Sequence, residues 1–253
     1  MLPCKILHLF FIFISKNHTF AILYINNMQI FTEFINLIYP KTCVACNDLL
    51  NKDEKFICLK CLYHLPKTNF HTQPDNVVEQ RFWGKVPIVR ATAFFRFQKG
   101  SPFQQLLHHL KYKGEKEMGQ VLGEYFATDL MSSCFATVDV IVPVPLHRNK
   151  LKKRGYNQSE WIAKGIAAKW QKPLDCDTLF RAIENPTQTK KGIFERWENV
   201  EGIFEIKNRE AFNGKHVLLI DDVLTTGATI VACATAILKC ENVSLSVATL
   251  AMA

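Results

Sequence analysis

Two adjacent carboxylates followed by hydroxyl side chains are the residues of this chain best suited to chemistry. Residues 217–229 read VLLIDDVLTTGAT, an apolar stretch that ends in Asp221 and Asp222 and continues through threonines and Gly227 to a helical pattern starting at Ala228. Glycine lets a chain turn tightly, and the first amides of a helix, together with its dipole, favour a negative charge. The segment therefore predicts a phosphate-binding turn beside two acids that can accept hydrogen bonds from a sugar.

The same segment also has a purely structural interpretation. Threonine caps helices well, so Thr225, Thr226 and Thr229 could serve only to begin the helix. Adjacent acids repel each other unless a cation or a donor offsets their charge, and this cost favours a binding role for Asp221 and Asp222. The sequence contains no Walker G-x-x-x-x-G-K-[ST] pattern, so the turn would hold phosphate without the Walker lysine.

Four cysteines form two pairs, Cys43-x-x-Cys46 and Cys58-x-x-Cys61, separated by 11 residues. Two-residue gaps let both sulfurs of a pair reach one tetrahedral Zn²⁺, and four thiolates leave no position for water. The spacing predicts a structural zinc site in a module too short to fold without metal. The alternative is two redox dithiols, but no thioredoxin-like unit surrounds them. Five scattered cysteines are expected to be small buried apolar residues: Cys4, Cys134, Cys176, Cys233 and Cys240.

A strongly basic segment follows the apolar run 138–144. Ligands of open parallel sheets bind beyond the carboxyl ends of the strands, so this segment is placed to meet pyrophosphate or nucleic-acid phosphates. A run of charges is also typical of a solvated loop. The cationic residues are Arg148, Lys150, Lys152, Lys153 and Arg154.

Residues 217–229 resemble the motif with which type I phosphoribosyltransferases bind phosphoribosyl pyrophosphate (PRPP). The resemblance implies that Asp221 and Asp222 hold the ribose hydroxyls. It implies that the 5′-phosphate is held by the loop Thr225, Thr226, Gly227, Ala228 and Thr229. It also implies Mg²⁺ bound with PRPP, where the metal offsets the pyrophosphate charge. The cations that would stabilise pyrophosphate, or contact nucleic-acid phosphates, are Arg148, Lys152 and Arg154.

Combined with the cysteine pairs and the basic segment, this motif is similar to the ComF/GntX family. That family joins a zinc module to a phosphoribosyltransferase-like domain, and the similarity spans about residues 40–250. The family's RG-aromatic-NQ signature is matched by Arg154, Gly155, Asn157 and Gln158. Its KY-x-G element is matched by Lys111, Tyr112 and Gly114. Its spaced R…Q…R…N…F element is matched by Arg181, Gln188, Arg196, Asn199 and Phe204. Asn185 departs from the pattern, since the family has threonine there.

Apolar patterns predict the elements that must position these residues. Continuous or β-branched runs predict strands at 88–97, 138–144, 217–220 and 243–250. Helical spacing predicts helices at 29–39, 103–112, 118–130, 159–170 and 228–238. Strands alternating with helices predict an α/β fold, a mainly parallel sheet flanked by helices of the type I phosphoribosyltransferase-like kind, with a small N-terminal zinc-binding domain.

The N-terminal residues 1–27 are interpreted as an upstream extension, with Met28 as the natural start. Lys16, Asn17 and His18 divide their apolar residues into runs too short to span a bilayer, and an uncleaved membrane-proximal anchor is the alternative. The rest of the chain is divided into a helix and four-cysteine zinc module at 28–66, a polar linker at 67–86 and a phosphoribosyltransferase-like domain at 87–253.

Composition narrows the functional classes. An apolar fraction of 48% excludes wholesale disorder, and a formal net charge of +8 favours anionic partners. Cysteines arranged for metal rather than disulfides suggest the cytoplasm.

The family resemblance implies a PRPP-binding protein of DNA uptake and natural transformation that handles single-stranded DNA. A DNA-uptake helicase or other competence protein would be its partner, since a motor must come from elsewhere. The alternatives are an active phosphoribosyltransferase with an unidentified acceptor and an adaptor that senses PRPP without turning it over. No catalytic residue is assigned.

Overall fold

The computed structural model of the protein describes residues 40–182 and 202–253. The expected helix 29–39, the extension 1–27 and the matched positions Asn185, Gln188, Arg196 and Asn199 lie outside the described residues. The strands are β1 (Ala91–Arg96), β2 (Val140–Pro143), β3 (Leu179–Arg181), β4 (Phe204–Ile206), β5 (His216–Leu224) and β6 (Ser244–Met252). The helices are α1 (Leu59–Tyr63), α2 (Val77–Gln80), α3 (Gln104–Tyr112), α4 (Lys116–Met131), α5 (Arg148–Arg154), α6 (Gln158–Trp170) and α7 (Ala228–Ile237). Single 3₁₀ turns lie at Phe70–Thr72 and Arg209–Ala211.

Four strands form one sheet in the order β1-β6-β5-β2, and every neighbouring pair in it is parallel. Strands β3 and β4 form a separate antiparallel pair. The predicted α/β class, a mainly parallel sheet with flanking helices, is confirmed. Because β5 is central, its carboxyl end opens between the ends of β6 and β2.

Both faces of this sheet are covered, which explains why its strands are continuous apolar runs. On one face Leu218 and Ile220 belong to a buried cluster with α3, α4 and α6. On the other face Val217 and Leu219 pack with α7 and the β3–β4 pair. Alternate side chains of β5 thus pack on opposite faces of the sheet, which fixes the orientation of the strand and of the two acids within it.

Residues 67–86, expected to be a polar linker, are packed against the sheet. They contain α2 and the first 3₁₀ turn, and they bury Phe70, Val78 and Phe82 in the second cluster. The Asn76 side chain caps α2 and donates to the Ala91 carbonyl of β1 at 3.0 Å. Val78 and Phe82 are four residues apart, the spacing of one helix face, but a single pair in a polar stretch is too short to predict a helix.

The four-cysteine module shares a core with the large domain. Cys43, Ile57 and Leu65 belong to the same buried cluster as Phe94 of β1 and Phe126 of α4. The module is therefore held in a defined position against the sheet side that carries α3, α4 and α6. The domain limits at 66 and 87 stay predictions.

Candidate functional site

The acid pair lies inside strand β5 and does not follow it. The strand was expected to end at Ile220, but it continues to Leu224, and Asp221 pairs in register with Thr249 of β6. The amide of Val144, just beyond β2, donates to the Ile220 carbonyl at 2.9 Å. The exit of β2 is thereby brought beside the two acids at the carboxyl edge of the sheet.

Asp221 is held by two donors on one oxygen. The Ser159 hydroxyl donates to Oδ1 at 2.9 Å, and the Asp222 amide donates to the same atom at 2.9 Å. Burial and the negative charge of Asp222 raise the pKa of the Asp221 carboxyl to about 7, although these donors and Lys111 act in the opposite direction. The carboxyl therefore titrates close to neutral pH, and a ligand that donates to it would favour its ionised form.

Asp222 is paired with a lysine from another layer. Nζ of Lys111 lies 3.0 Å from Oδ2 of Asp222, and the two side chains are only 25% and 17% exposed. Lys111 is in the last turn of α3, which is anchored by buried Leu106, Leu107 and Leu110. A pair this shielded from water interacts more strongly than a surface salt bridge does.

The predicted phosphate loop joins β5 to α7. Thr225, Thr226 and Thr229 are exposed, and the Ala228 amide donates to Oγ1 of Thr226 at 3.4 Å. Helix α7 begins at Ala228, so its first amides and its positive dipole end face the loop. The hydroxyls and amides are available to an anion here, and their assignment to a 5′-phosphate stays a prediction.

We expect Gly227→Ala to lower the free energy of unfolding by more than the about 1–2 kcal/mol that a left-handed backbone costs an L-residue. Gly227 has a φ of +79°, and an added methyl group would lie 3.2 Å from Cε1 of Phe82. Phe82 is fully buried and has little room to move. Gly214→Ala is the matched control, because its φ is +68° and nothing lies within 4 Å. Urea unfolding measures both variants, and equal losses would argue against the Phe82 contact.

The residues of the RG-aromatic-NQ signature make the contacts that position Ser159. The Tyr156 hydroxyl donates to the Leu110 carbonyl of α3 at 2.6 Å. The Asn157 side chain donates to the Val144 carbonyl at 2.9 Å and accepts the Ser159 amide at 3.2 Å, which caps α6. One segment thus connects α3, the exit of β2 and the start of α6, and Ser159 reaches Asp221 as a consequence.

Sequence reasoning assigned no role to Ser159 or Lys111, although both contact the acid pair. Lys111 was noticed only as part of the KY-x-G element, and Ser159 directly follows Gln158 of the other signature. A polar residue adjacent to a matched signature was the available signal. The chemistry of each depends on a contact that only the folded chain makes.

The basic segment is a helix rather than a loop, and none of its residues is buried. In α5 the side chains of Lys150, Lys152 and Lys153 are exposed. Arg154, in contrast, donates to Oε1 of Gln158 and lies over the Tyr112 ring, 5.7 Å from its centroid.

The three cations predicted to contact phosphate have different surroundings, and their shared role stays a prediction. Arg148 lines a cleft of about 250 Å³ that also contains Phe180, Arg181 and Lys207. Lys152 is exposed. Arg154 contacts Gln158 and Tyr112.

The four cysteines come together as a compact set, with all sulfurs within 4.8 Å of one another. Sγ of Cys46 and Sγ of Cys58 are 3.8 Å apart. A tetrahedral Zn²⁺ with Zn–S bonds of about 2.3 Å places its sulfurs about 3.8 Å apart, so the arrangement fits this metal. The Cys58 amide donates to Sγ of Cys43, and the Cys61 amide donates to Sγ of Cys58, each at 3.4 Å.

The surroundings of Cys43 favour a thiolate. Burial alone would raise the pKa of this thiol, but the amides of Cys58, Cys46 and Ala45 outweigh burial and bring the pKa down to about 7. Burial and the neighbouring cysteines instead raise the pKa of Cys61, so a bound cation would have to offset the repulsion among four thiolates. Of the scattered cysteines, Cys233 and Cys240 are buried as expected.

The expectation of burial is wrong for Cys134 and Cys176, which are exposed. Both lie in connecting segments, Cys134 after α4 and Cys176 before β3, where the chain runs over the surface. In the two described ranges, no helix combines the length and apolar character needed to span a lipid bilayer.

Comparisons with known proteins place the chain among relatives named for DNA use and competence. No protein-family model matches the sequence. DNA utilization protein YhgH of Escherichia coli strain K12 is 25% identical over 202 residues, which are 78% of this chain and 84% of that protein. Competence protein ComFC of Bacillus subtilis strain 168 is 27% identical over 191 residues, 75% of each chain. These homologues confirm the resemblance to ComF proteins that the motifs predicted.

Solved structures give a weaker likeness. A hypoxanthine phosphoribosyltransferase from Staphylococcus aureus superposes with a TM-score of 0.35 at 15% identity, over 61% of this chain and 73% of that one. The fold assignment accordingly depends on the sheet order and helix placement described above.

Proposed function

We propose that the protein is a ComF-like PRPP-binding protein that acts in DNA uptake and in the handling of single-stranded DNA. The observation that carries PRPP binding is the continuity of three features at one sheet edge. These are the acid pair Asp221–Asp222, the exposed threonine loop and the first turn of α7.

Each part of this edge suits a different part of PRPP. The carboxylates of Asp221 and Asp222 would accept hydrogen bonds from the two ribose hydroxyls, since an ionised acid is a strong acceptor. The hydroxyls of Thr225, Thr226 and Thr229, together with the first amides of α7, would donate to the 5′-phosphate. Mg²⁺ bound with PRPP would offset the charge of its pyrophosphate.

The DNA role is supported by the relatives and by the basic helix. Both curated relatives are named for DNA utilization or competence. The exposed lysines of α5 offer positive charge to a phosphate backbone. The proposal includes a DNA-uptake helicase or another competence protein as partner, a structural Zn²⁺ in the cysteine module, and a cytoplasmic location, where thiols stay reduced.

Calorimetric titration of the purified, zinc-loaded protein with PRPP and Mg²⁺ tests the proposal. Saturable binding supports it, and no heat at millimolar PRPP would refute it. Pyrophosphate release, measured with a panel of nucleobases and with single-stranded DNA, then distinguishes an active transferase from a non-catalytic adaptor. Release with one base identifies a transferase, whereas binding without release identifies a PRPP-sensing adaptor.

For DNA, we expect Lys150→Ala combined with Lys152→Ala to weaken binding of a single-stranded oligonucleotide. The slope of log affinity against log salt should fall by about 1.4, since each lost phosphate contact contributes about 0.7 on single strands. Arg148 and Arg154 are left unchanged, because one lines a cleft and the other supports Gln158. Fluorescence anisotropy at several salt concentrations gives the slope.

The matched control is Lys215→Ala combined with Lys239→Ala. Both lysines are exposed, and they lie before β5 and after α7, at the edge of the sheet opposite to the acid pair. This variant has the same net charge as the α5 variant. If both variants lose the same affinity and slope, only the overall charge matters and α5 is not a DNA-binding surface.

A further inference from the structure

We propose that Lys111 makes the acid pair selective for a sugar that carries a pyrophosphate over the same sugar without one. This inference rests on the proposed PRPP binding and names a residue to which no ligand role had been assigned. Lys111 is positioned by α3, a different element from those that supply the acids and the threonine loop.

The donors already present on the acid pair are the first observation. Oδ1 of Asp221 accepts both the Ser159 hydroxyl and the Asp222 amide. Oδ2 of Asp222 is in contact with Nζ of Lys111 at 3.0 Å. A ribose hydroxyl that donates to this oxygen of Asp222 must share it with the ammonium or displace it.

A displaced ammonium needs another anion. The Lys111 side chain is only 25% exposed, and a partly buried charge without a partner is costly. In PRPP the pyrophosphate is attached to C1 of the ribose, next to the carbon that carries the 2-hydroxyl. The flexible four-carbon stem of lysine can therefore move its ammonium from Asp222 to the pyrophosphate while the hydroxyl takes its place.

A second cation contacts the residues next to Lys111 and Ser159 in the sequence. The Arg154 guanidinium lies over the ring of Tyr112, the residue that follows Lys111, and donates to Gln158, which precedes Ser159. The pyrophosphate would thus meet positive charge from two elements, α3 and α5. Ribose 5-phosphate has the same hydroxyls and the same terminal phosphate, but it offers no anion to replace Asp222 as the partner of Lys111.

The alternative is that Lys111 only offsets the repulsion between Asp221 and Asp222. In that case its loss would weaken every ligand that uses the acid pair, and it would do so equally. Selectivity between PRPP and ribose 5-phosphate is therefore the measurement that separates the two roles.

The experiment is calorimetric titration of Lys111→Met, Lys111→Arg and wild type with PRPP and with ribose 5-phosphate, each with Mg²⁺. For Lys111→Met we expect PRPP affinity to fall by about tenfold to a hundredfold, as for one charged hydrogen bond. Ribose 5-phosphate affinity should fall by less than about threefold, because no charged contact is lost there. Lys111→Arg should keep most of the preference for PRPP. Lys113→Met is the matched control, since Lys113 is exposed just beyond α3, and it should change neither affinity.

Equal losses for both ligands in Lys111→Met, or an unchanged PRPP affinity, would overturn this inference and leave PRPP binding intact. A wild-type protein that binds neither ligand would instead refute the proposed function itself. Thermal unfolding of each variant shows whether a loss of affinity comes from a loss of folded protein.

Discussion

Asp221→Asn combined with Asp222→Asn is expected to weaken PRPP binding by at least about a hundredfold, because a hydrogen bond to a charged group contributes about 1.5–3 kcal/mol and two such acceptors are lost. Asparagine keeps the shape of each side chain but has one acceptor oxygen and no charge. The 5′-phosphate contacts of the loop would remain, so residual binding should resemble that of a simple phosphate ester. Calorimetry with PRPP and Mg²⁺ provides the measurement.

Stability distinguishes this effect from misfolding. Burial and the Asp222 charge raise the pKa of Asp221 to about 7, so above neutral pH the folded protein holds an unfavourable negative charge there. A raised carboxyl pKa means that this group contributes less stability as pH rises from its unfolded pKa through 7. The single variant Asp221→Asn should therefore be at least as stable as wild type at pH 8. Asp53→Asn, on the exposed surface of the cysteine module, is the control for an Asp to Asn change. Unaltered PRPP affinity in a folded double variant would remove the acid pair from the site.

Loss of the proposed zinc site should have the largest effect on the fold. With Cys58→Ser we expect loss of the bound metal and loss of the structure of residues 43–65. Structural Zn²⁺ contributes about 10–16 kcal/mol in zinc-finger peptides, which is comparable to the whole stability of a domain. Because Cys58 and Ile57 share a buried cluster with Phe94 and Phe126, the loss should also lower the unfolding temperature of the large domain. Metal analysis, hydrogen exchange and a thermal scan measure the three effects.

Cys176→Ser is the matched control, since Cys176 is an exposed cysteine outside the cluster and should leave metal content and stability unchanged. A strong chelator applied to wild type should reproduce the effect of Cys58→Ser without any substitution. One zinc per chain that can be removed with no change in hydrogen exchange near Phe94 would mean that the module is independent of the large domain.

Local pattern by itself determined the strands of the parallel sheet and the longer helices that cover it, but not β3, β4 and the short helices α1, α2 and α5. The predicted strands 88–97 and 243–250 became β1 and β6, and the predicted helices 103–112 and 159–170 became α3 and α6, within three residues at each end. These signals are strong because a strand covered on both faces must be apolar throughout, and a helix on the sheet must show apolar side chains at helical spacing. The cysteine pairs were equally readable, since two-residue gaps follow from the geometry of one tetrahedral metal.

The burial of isolated apolar residues within a polar segment could not be predicted from local pattern. Phe70, Val78 and Phe82 fall in a stretch expected to be a linker, yet all three are buried. Phe82 lies against Gly227 and thus packs against the predicted phosphate loop. One pair at helical spacing, Val78 and Phe82, is too little to predict a buried face, because burial here is set by the sheet and α7, which are distant in sequence.

The composition of the site around its acids was decided only by tertiary structure. The motif at 217–229 contains Asp221 and Asp222, but Ser159 reaches Asp221 across 62 positions, and Lys111 comes from α3, much earlier in the chain. No local pattern encodes these contacts, since they depend on how α3 and α6 pack on the sheet. A short motif can specify a strand, a loop and a helix start, whereas the donors and the counter-charge around its acids are supplied by the packing of the whole domain.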